Sequence, residues 1–275
     1  MNCLADYGHD AVIAASQSNA GFWLETGDAY ELVNCESRNT MLGFVSNFAG
    51  GAATGHHRPW TGSHVLNGCR AVRFRQQGFR LEYGGADGNV VLESCFAEVN
   101  RTAAAYANCV GGAPAGAEIM FTPPAANSSL AARFALRGCA FDMVDCSSLT
   151  QCAAIGIREG PVANAHQMIV DIGDTSFRWI SRGATRATDT LVQSRYQSTA
   201  RPNHGYFGDI VFSGLYDVPS DLRFKGSATI SNCVNHSFGY VLFASEIAGP
   251  DSVLAIENCN LSMRTGGQPR TQRER

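Results

Sequence analysis

A four-residue pattern recurs along this chain and restricts its fold more than any other feature: Leu or Ile, any residue, a small turn-former, then Cys. Six copies are plain: Leu32-Val33-Asn34-Cys35, Leu66-Asn67-Gly68-Cys69, Leu92-Glu93-Ser94-Cys95, Leu136-Arg137-Gly138-Cys139, Ile230-Ser231-Asn232-Cys233 and Ile256-Glu257-Asn258-Cys259. Two looser copies, Ile172-Gly173-Asp174-Thr175 and Phe212-Ser213-Gly214-Leu215, fill the long gap. The fourth positions fall at 35, 69, 95, 139, 175, 215, 233 and 259, the irregular spacing of a solenoid whose coils carry insertions.

The third position carries the physics. In chain order it reads Asn, Gly, Ser, Gly, Asp, Gly, Asn, Asn, and all but the Ser are types that tolerate a positive φ readily. A strand that bends sharply through one left-handed residue and continues as a second strand needs that tolerance. Leu or Ile before the bend and Cys after it then point inward, as do Phe141, Phe177 and Leu261 two residues further on. Coil stacked on coil, the Cys form a column of buried thiols. Zinc would want pairs two to four residues apart, and Cys146 with Cys152 is too loose. Neighbouring coils stack at about 4.8 Å, close enough for some thiols to be bridged, but reduced thiols packing as small hydrophobes is the simpler reading. No metal and no cofactor is expected.

This pattern resembles the pectate-lyase-like right-handed parallel β-helix, including the tail spike and head spike proteins of phages, over about residues 20–263. The resemblance implies an all-β chain: one single-stranded right-handed parallel β-helix with loop insertions over residues 1–263, and a basic tail at 264–275. It does not imply one activity, because lyases, glycoside hydrolases, epimerases, adhesins and phage spikes share the fold.

The residue sets those enzymes use are missing. There is no Asn-Thr-Asp, no Asp-Asp pair, no Gly-His-Gly and no Arg-Ile-Lys run of the polygalacturonase type, nor the dense Asp cluster with which pectate lyases hold calcium. If the chain is an enzyme, a polysaccharide lyase or glycoside hydrolase, the nearest catalytic candidates are Asp171, Asp142 and Asp209, since two carboxylates flanking a sugar bond can perform acid–base hydrolysis. Asp145 is a further candidate, and Asp174 is explained by its place at a bend. The segment from Arg73 to Tyr83 alternates Arg with apolar residues, so Arg73, Arg75 and Arg80 are expected to point outward as a basic stripe. The long stretches without the motif, 41–63, 100–131 and 178–208, are read as insertions, and His56-His57 as part of a surface loop.

Composition sets the partners. The net charge of −3 gives no general attraction to nucleic acid or anionic membrane, and no nucleic-acid-binding module appears. Residues 264–275 carry four Arg against one Glu, about +3, which leaves about −6 on the rest. The first residues show no secretory signal, and no apolar run is long enough to span a membrane. A phage particle assembles in the bacterial cytoplasm and needs no export signal, so the expected role is a spike or fibre subunit on the surface of a virion or phage-like particle. The expected partners are cell-surface polysaccharide, other particle proteins and two further copies in a homotrimer. Aromatic faces stack on sugar rings and planar guanidinium groups suit sugar oxygens, which singles out Trp60, Arg75, Trp179, Arg182 and Tyr196 as ligand-binding candidates. A purely structural β-helix is the third alternative.

Overall fold

In the computed structural model the described residues are 2–7, 20–25, 29–47, 63–83, 88–100, 115–121, 131–144, 152–159, 167–180, 207–213, 226–232, 234–237, 242–244 and 253–263. They contain strands, bends and no helix. The strands visit three sheets in strict rotation. The first coil places Leu4–Asp6 in sheet A, Ala20–Glu25 in sheet B and Ala29–Val33 in sheet C, and the second repeats this with Glu36–Arg38, Leu42–Asn47 and Ser63–Asn67. Sheet A grows to eight strands and sheets B and C to seven each, every pairing parallel and every strand joined to its counterpart one coil along. The chain is a parallel β-helix, and its strands run from Leu4 to Met263.

The motif marks the corner from sheet C to sheet A. Asn34, Gly68, Ser94, Gly138, Asp174, Asn232 and Asn258 all have φ between 51° and 64°. These corners are stacked as tightly as the strands. The Asn34 N–H donates to the Asn67 carbonyl one coil on (2.8 Å), Gly68 to Glu93 (2.9 Å) and Ser94 to Arg137 (2.8 Å), so each of these corner N–H groups is satisfied by the next coil. One expected copy is corrected. Phe212 and Ser213 close the strand Phe207–Ser213 of sheet B, with Phe212 level with Ile157, so no C-to-A corner lies there and a single long coil runs from Thr175 to Cys233. That copy had lost its Cys, and with it the inward thiol that identifies the corner.

Two features of the coil went unseen. A second column of left-handed residues, Asn39 (φ 53°) and Arg73 (φ 55°), turns the chain from sheet A to sheet B. In addition, the stretches 41–63, 100–131 and 178–208 are not wholly insertions, because each carries sheet B strand: Leu42–Asn47, Ala115–Phe121 and the start of Phe207–Ser213. The expected outward stripe fails for the same reason. Arg73 is the corner residue itself, Arg75 is buried before sheet B resumes at Gln77, and only Arg80 lies partly exposed on a strand.

The core is a set of ladders. Leu32, Leu66, Leu92, Leu136, Ile172, Ile230 and Ile256 stack in register along sheet C. On sheet B, Phe22, Phe44 and Phe79 stack face to face at centroid separations of 4.8 and 5.1 Å, and the column continues with the smaller Ala117 and Ile155. Sheet A does the reverse: Ser37, Ala71 and Ala97 come first, then Phe141 and Phe177, stacked at 6.0 Å. Large residues on one wall thus meet small ones on the other, which keeps the interior filled. Glycine is required where that filling is tightest. A Cβ on Gly43 would lie 2.9 Å from the Ala71 Cβ, and one on Gly116 would run into the Phe141 ring.

The thiol column begins earlier than the motif suggested. Cys3 precedes Leu4, which is level with Glu36, so Cys3 heads a series continued by Cys35, Cys69, Cys95, Cys139 and Thr175. Cys3, Cys35, Cys69, Cys95, Cys139 and Cys259 are free thiols. They are more than small hydrophobes: Cys69, Cys95 and Cys139 approach the carbonyls of Leu32, Leu66 and Leu92 one coil back, at 3.4, 3.1 and 3.5 Å. Thr175 keeps the related bond to the carbonyl two residues earlier, Gly173, at 2.9 Å, which explains why a hydroxyl replaces a thiol there without breaking the column. Burial pushes the Cys35 thiol up from its ordinary value, and the Cys139 and Cys69 thiols above and below Cys95, together with burial, push that one up as well.

Candidate functional site

The three aspartates singled out as catalytic candidates lie on three different walls. Asp142 is on sheet A in Ala140–Val144, Asp209 on sheet B in Phe207–Ser213, and Asp171 on sheet C in Gln167–Gly173. They therefore do not converge on one substrate. Asp171 is half exposed and accepts a hydrogen bond from Arg137 at 2.8 Å, an ordinary surface ion pair. Asp174, three residues on, is an exposed corner residue with φ 51°. Asp145 lies outside the described residues.

Asp142 has the richest surroundings. Parallel pairing places Glu98, Asp142, Arg178 and His236 at one register position on four consecutive strands of sheet A. Strand separation in a sheet is about 4.8 Å, so the row places one residue per coil along the solenoid axis. Asp142 is only 6% exposed, whereas the Arg178 side chain is 58% exposed. Arg178 grips the carboxylate with two nitrogens: Nε donates to Oδ1 at 2.8 Å and a terminal nitrogen donates to Oδ2. That double bond to Asp142 and the opposite charge raise the Arg178 pKa further above its ordinary value, so the row holds a permanent cation.

Towards the first coil the same face continues with charge. Glu36 pairs with Arg38 on its own strand and lies 3.7 Å from Arg70, and the Arg70 guanidinium sits 4.8 Å from the centre of the Phe96 ring. Side chains one coil apart thus interact at several places on this face: Glu36 with Arg70, Arg70 with Phe96, and Asp142 with Arg178. The signal for Glu98 was in the sequence: Glu98, Asp142 and His236 are each the third residue after a motif Cys, and Arg178 is the third after Thr175. Asp142 was singled out, but the column it belongs to was not.

Of the ligand-binding candidates, Arg75 is the one whose side chain is among those described. Arg75 is buried, with its backbone N–H donating to the Thr40 carbonyl at 2.9 Å. Trp179 is level with Met143 on sheet A, one position beyond Arg178, but its side chain is outside the described residues, as are Trp60, Arg182 and Tyr196 altogether. On the outer side of sheet B, Gln77 donates to the buried Glu118, which is level with Arg80. Among the described residues no group of three or more His, Cys, Asp or Glu could hold a metal ion.

No family model matches this chain, and neither the curated proteins nor the solved structures searched include a match.

Proposed function

We propose that this chain is a polysaccharide-binding subunit of a spike or fibre on a phage-like particle, and that the outer face of sheet A is part of its glycan-contacting surface. One observation carries the reading: Glu98, Asp142 and Arg178 stand level on adjacent coils, with Arg178 largely exposed. Carboxylates and guanidinium groups hydrogen-bond well to sugar hydroxyls, and a row repeating once per coil suits a ligand that also repeats along its length. Trp60, Arg182 and Tyr196 in the neighbouring stretches would add stacking and donor groups. Other particle proteins are proposed partners, and three copies are proposed to pack side by side as a homotrimer.

Binding without cleavage is favoured because both Asp142 oxygens are engaged by Arg178. A second reading has a specific basis. Glu98 and Asp142 are adjacent across strands, and retaining glycosidases place their two carboxyl groups about 5–5.5 Å apart. Affinity electrophoresis through gels containing bacterial surface polysaccharide separates the two. Retardation lost in Trp60→Ala and Glu98→Gln, with no reducing ends or unsaturated products after long incubation, supports the adhesin. Product release abolished by Asp142→Asn would replace it with the hydrolase, and failure to bind any surface glycan would leave a structural β-helix.

A further inference from the structure

Consecutive coils put a thiol at one position of the corner into sheet A. The strands Glu36–Arg38, Arg70–Val72, Phe96–Asn100 and Ala140–Val144 begin one residue after Cys35, Cys69, Cys95 and Cys139. The Arg70 N–H donates to the Cys35 carbonyl (2.8 Å), Phe96 to Cys69 and Ala140 to Cys95 (2.9 Å each), so each Cys is tied at its own backbone to the coil beside it. All four thiols are buried and free. The side chains of Cys69, Cys95 and Cys139 lean the same way, towards the carbonyls of Leu32, Leu66 and Leu92 one coil back.

Rungs at a strand spacing of about 4.8 Å fall inside the range of about 4.4–6.8 Å that the Cα atoms of bridged cysteines span. Parallel Cβ atoms in register lie at nearly the same spacing, just beyond the usual separation of about 3.5–4.5 Å, so a bridge here closes under strain and is easily reduced. The column changes beyond Cys139, where Thr175 supplies a hydroxyl that packs but cannot bridge. Cys95 therefore has a thiol on each side, and Cys139 has one. The hydrogen bonds between them sort the roles. Bonding to the Cys95 thiol holds the Cys69 pKa down at about 7 against the effect of burial and lowers that of Cys139, while the same bonds, with burial, keep the proton on Cys95. A thiolate beside a thiol is the pair from which a disulfide forms.

We propose that Cys95 is the shared member of a reversible disulfide site: under a hydroperoxide it bridges to Cys69 or to Cys139, one neighbour at a time, and clips two successive coils together inside the core. In the first step the neighbour's thiolate attacks a peroxide oxygen, an S–O bond forms, the O–O bond breaks and the departing hydroxide is protonated to water. The Cys95 sulfur then attacks that sulfenic acid, an S–S bond forms, the S–O bond breaks and the second hydroxide leaves with the Cys95 proton as water. Two thiols lose two electrons and one peroxide gains them. A reducing compartment leaves the column as thiols, and an oxidising one installs the clip. The inference is independent of the glycan reading.

Disulfide mapping of the full chain tests it. The reduced protein is treated with hydrogen peroxide, remaining thiols are alkylated, and the chain is digested without reductant for mass spectrometry. Two linked peptides are expected, Cys69 to Cys95 and Cys95 to Cys139, and both should disappear on treatment with dithiothreitol. Cys139→Ser should leave the first alone, Cys69→Ser the second alone, and Cys95→Ser neither. The hydroxyl at Thr175 shows that the column accepts such a rung, and circular dichroism before oxidation confirms the fold of each variant. The proposal is overturned if Cys69, Cys95 and Cys139 stay fully open to alkylation after a peroxide treatment that bridges the same chain in urea. It is equally overturned if the bridge skips a rung and joins Cys69 to Cys139, or if Cys95→Ser yields as much bridged column as the parent by pairing Cys35 with Cys69.

Discussion

Arg178 reaches back one coil to Asp142 and holds it through both carboxylate oxygens, with the Nε to Oδ1 distance at 2.8 Å. The pair is lopsided, because the carboxylate is 8% exposed and the guanidinium 58%. Removing the exposed partner therefore strands the buried one. Arg178→Met keeps the apolar stem but leaves the Asp142 charge without its donor and level with Glu98. A loss of about 1–3 kcal/mol, the usual cost of a buried polar group deprived of its partner, is expected in urea unfolding. Asp142→Asn should cost less, since an exposed Arg keeps water as its alternative. Equal losses in the two variants would show that the burial asymmetry has no energetic weight.

Gly116 sets a steric test of the interior. A Cβ there would strike the Phe141 ring and come within 2.7 Å of the Ala154 carbonyl oxygen, so neither a rotamer change nor a small backbone shift clears it. Gly116→Ala is expected to destabilise by about 1–3 kcal/mol, the range for overpacking a filled core. Shrinking the ring in Gly116→Ala/Phe141→Leu should recover part of the loss, and no recovery would place the obstruction on the backbone instead.

Corner residues give a prediction of both signs. Asn232 has φ 52°, and a β-branched side chain there is strained by about 1–2 kcal/mol or more, so Asn232→Val should lower the melting temperature clearly while Asn232→Gly should not. Arg73 occupies the other corner with φ 55° and an exposed side chain, so glycine should relieve strain. Offset by the extra freedom glycine gives the unfolded chain, Arg73→Gly is expected to be neutral or to raise stability by up to about 1 kcal/mol. A clear fall would mean that the Arg73 side chain holds the corner through its contacts.

These corners also show what a sequence of this kind reveals and conceals. The C-to-A corner was legible because three signals coincide in four residues: an inward Leu or Ile, a residue that accepts positive φ, and an inward Cys. The A-to-B corner was not, because Arg73 is an unusual occupant of that region and Asn39 stood alone. Sheet B carried its own repeat, Gly21-Phe22, Gly43-Phe44 and Gly78-Phe79, but it fades to Gly116-Ala117 once the large residues move to sheet A. Alternation misled at Arg75, since the period-2 pattern spans a corner and parity resets there. For the site, residue types alone proposed Asp142, Asp171 and Asp209, and only the rotation of strands among three sheets separates them.

Thiols of the column titrate in opposing directions: the side-chain hydrogen bonds that raise the pKa of Cys95 lower those of its neighbours Cys139 and Cys69, the latter to about 7, so stability lost at alkaline pH traces to Cys95 and Cys35 alone among them. Cys95 lies between Cys69 and Cys139 in a closed core, and the neighbouring thiols together with burial raise its pKa above the ordinary 9.0; the Cys35 value is raised too. Below the unfolded value both the folded and unfolded chains keep these protons, so the full stability is present. Above it the unfolded chain releases them and the folded chain does not, so folding loses stability as pH climbs. For a single fully protected thiol the slope approaches about 1.4 kcal/mol per pH unit. The Cys95 and Cys35 contributions to the urea midpoint should therefore be full at neutral pH and be lost beyond pH 9.0. Cys95→Ser isolates the contribution, because serine retains a donor for the Leu66 carbonyl, which the thiol reaches at 3.1 Å, but does not titrate in this range. The variant should start somewhat less stable and show a shallower alkaline decline. Parallel declines in the two proteins would mean that Cys95 does not hold its proton more tightly when folded.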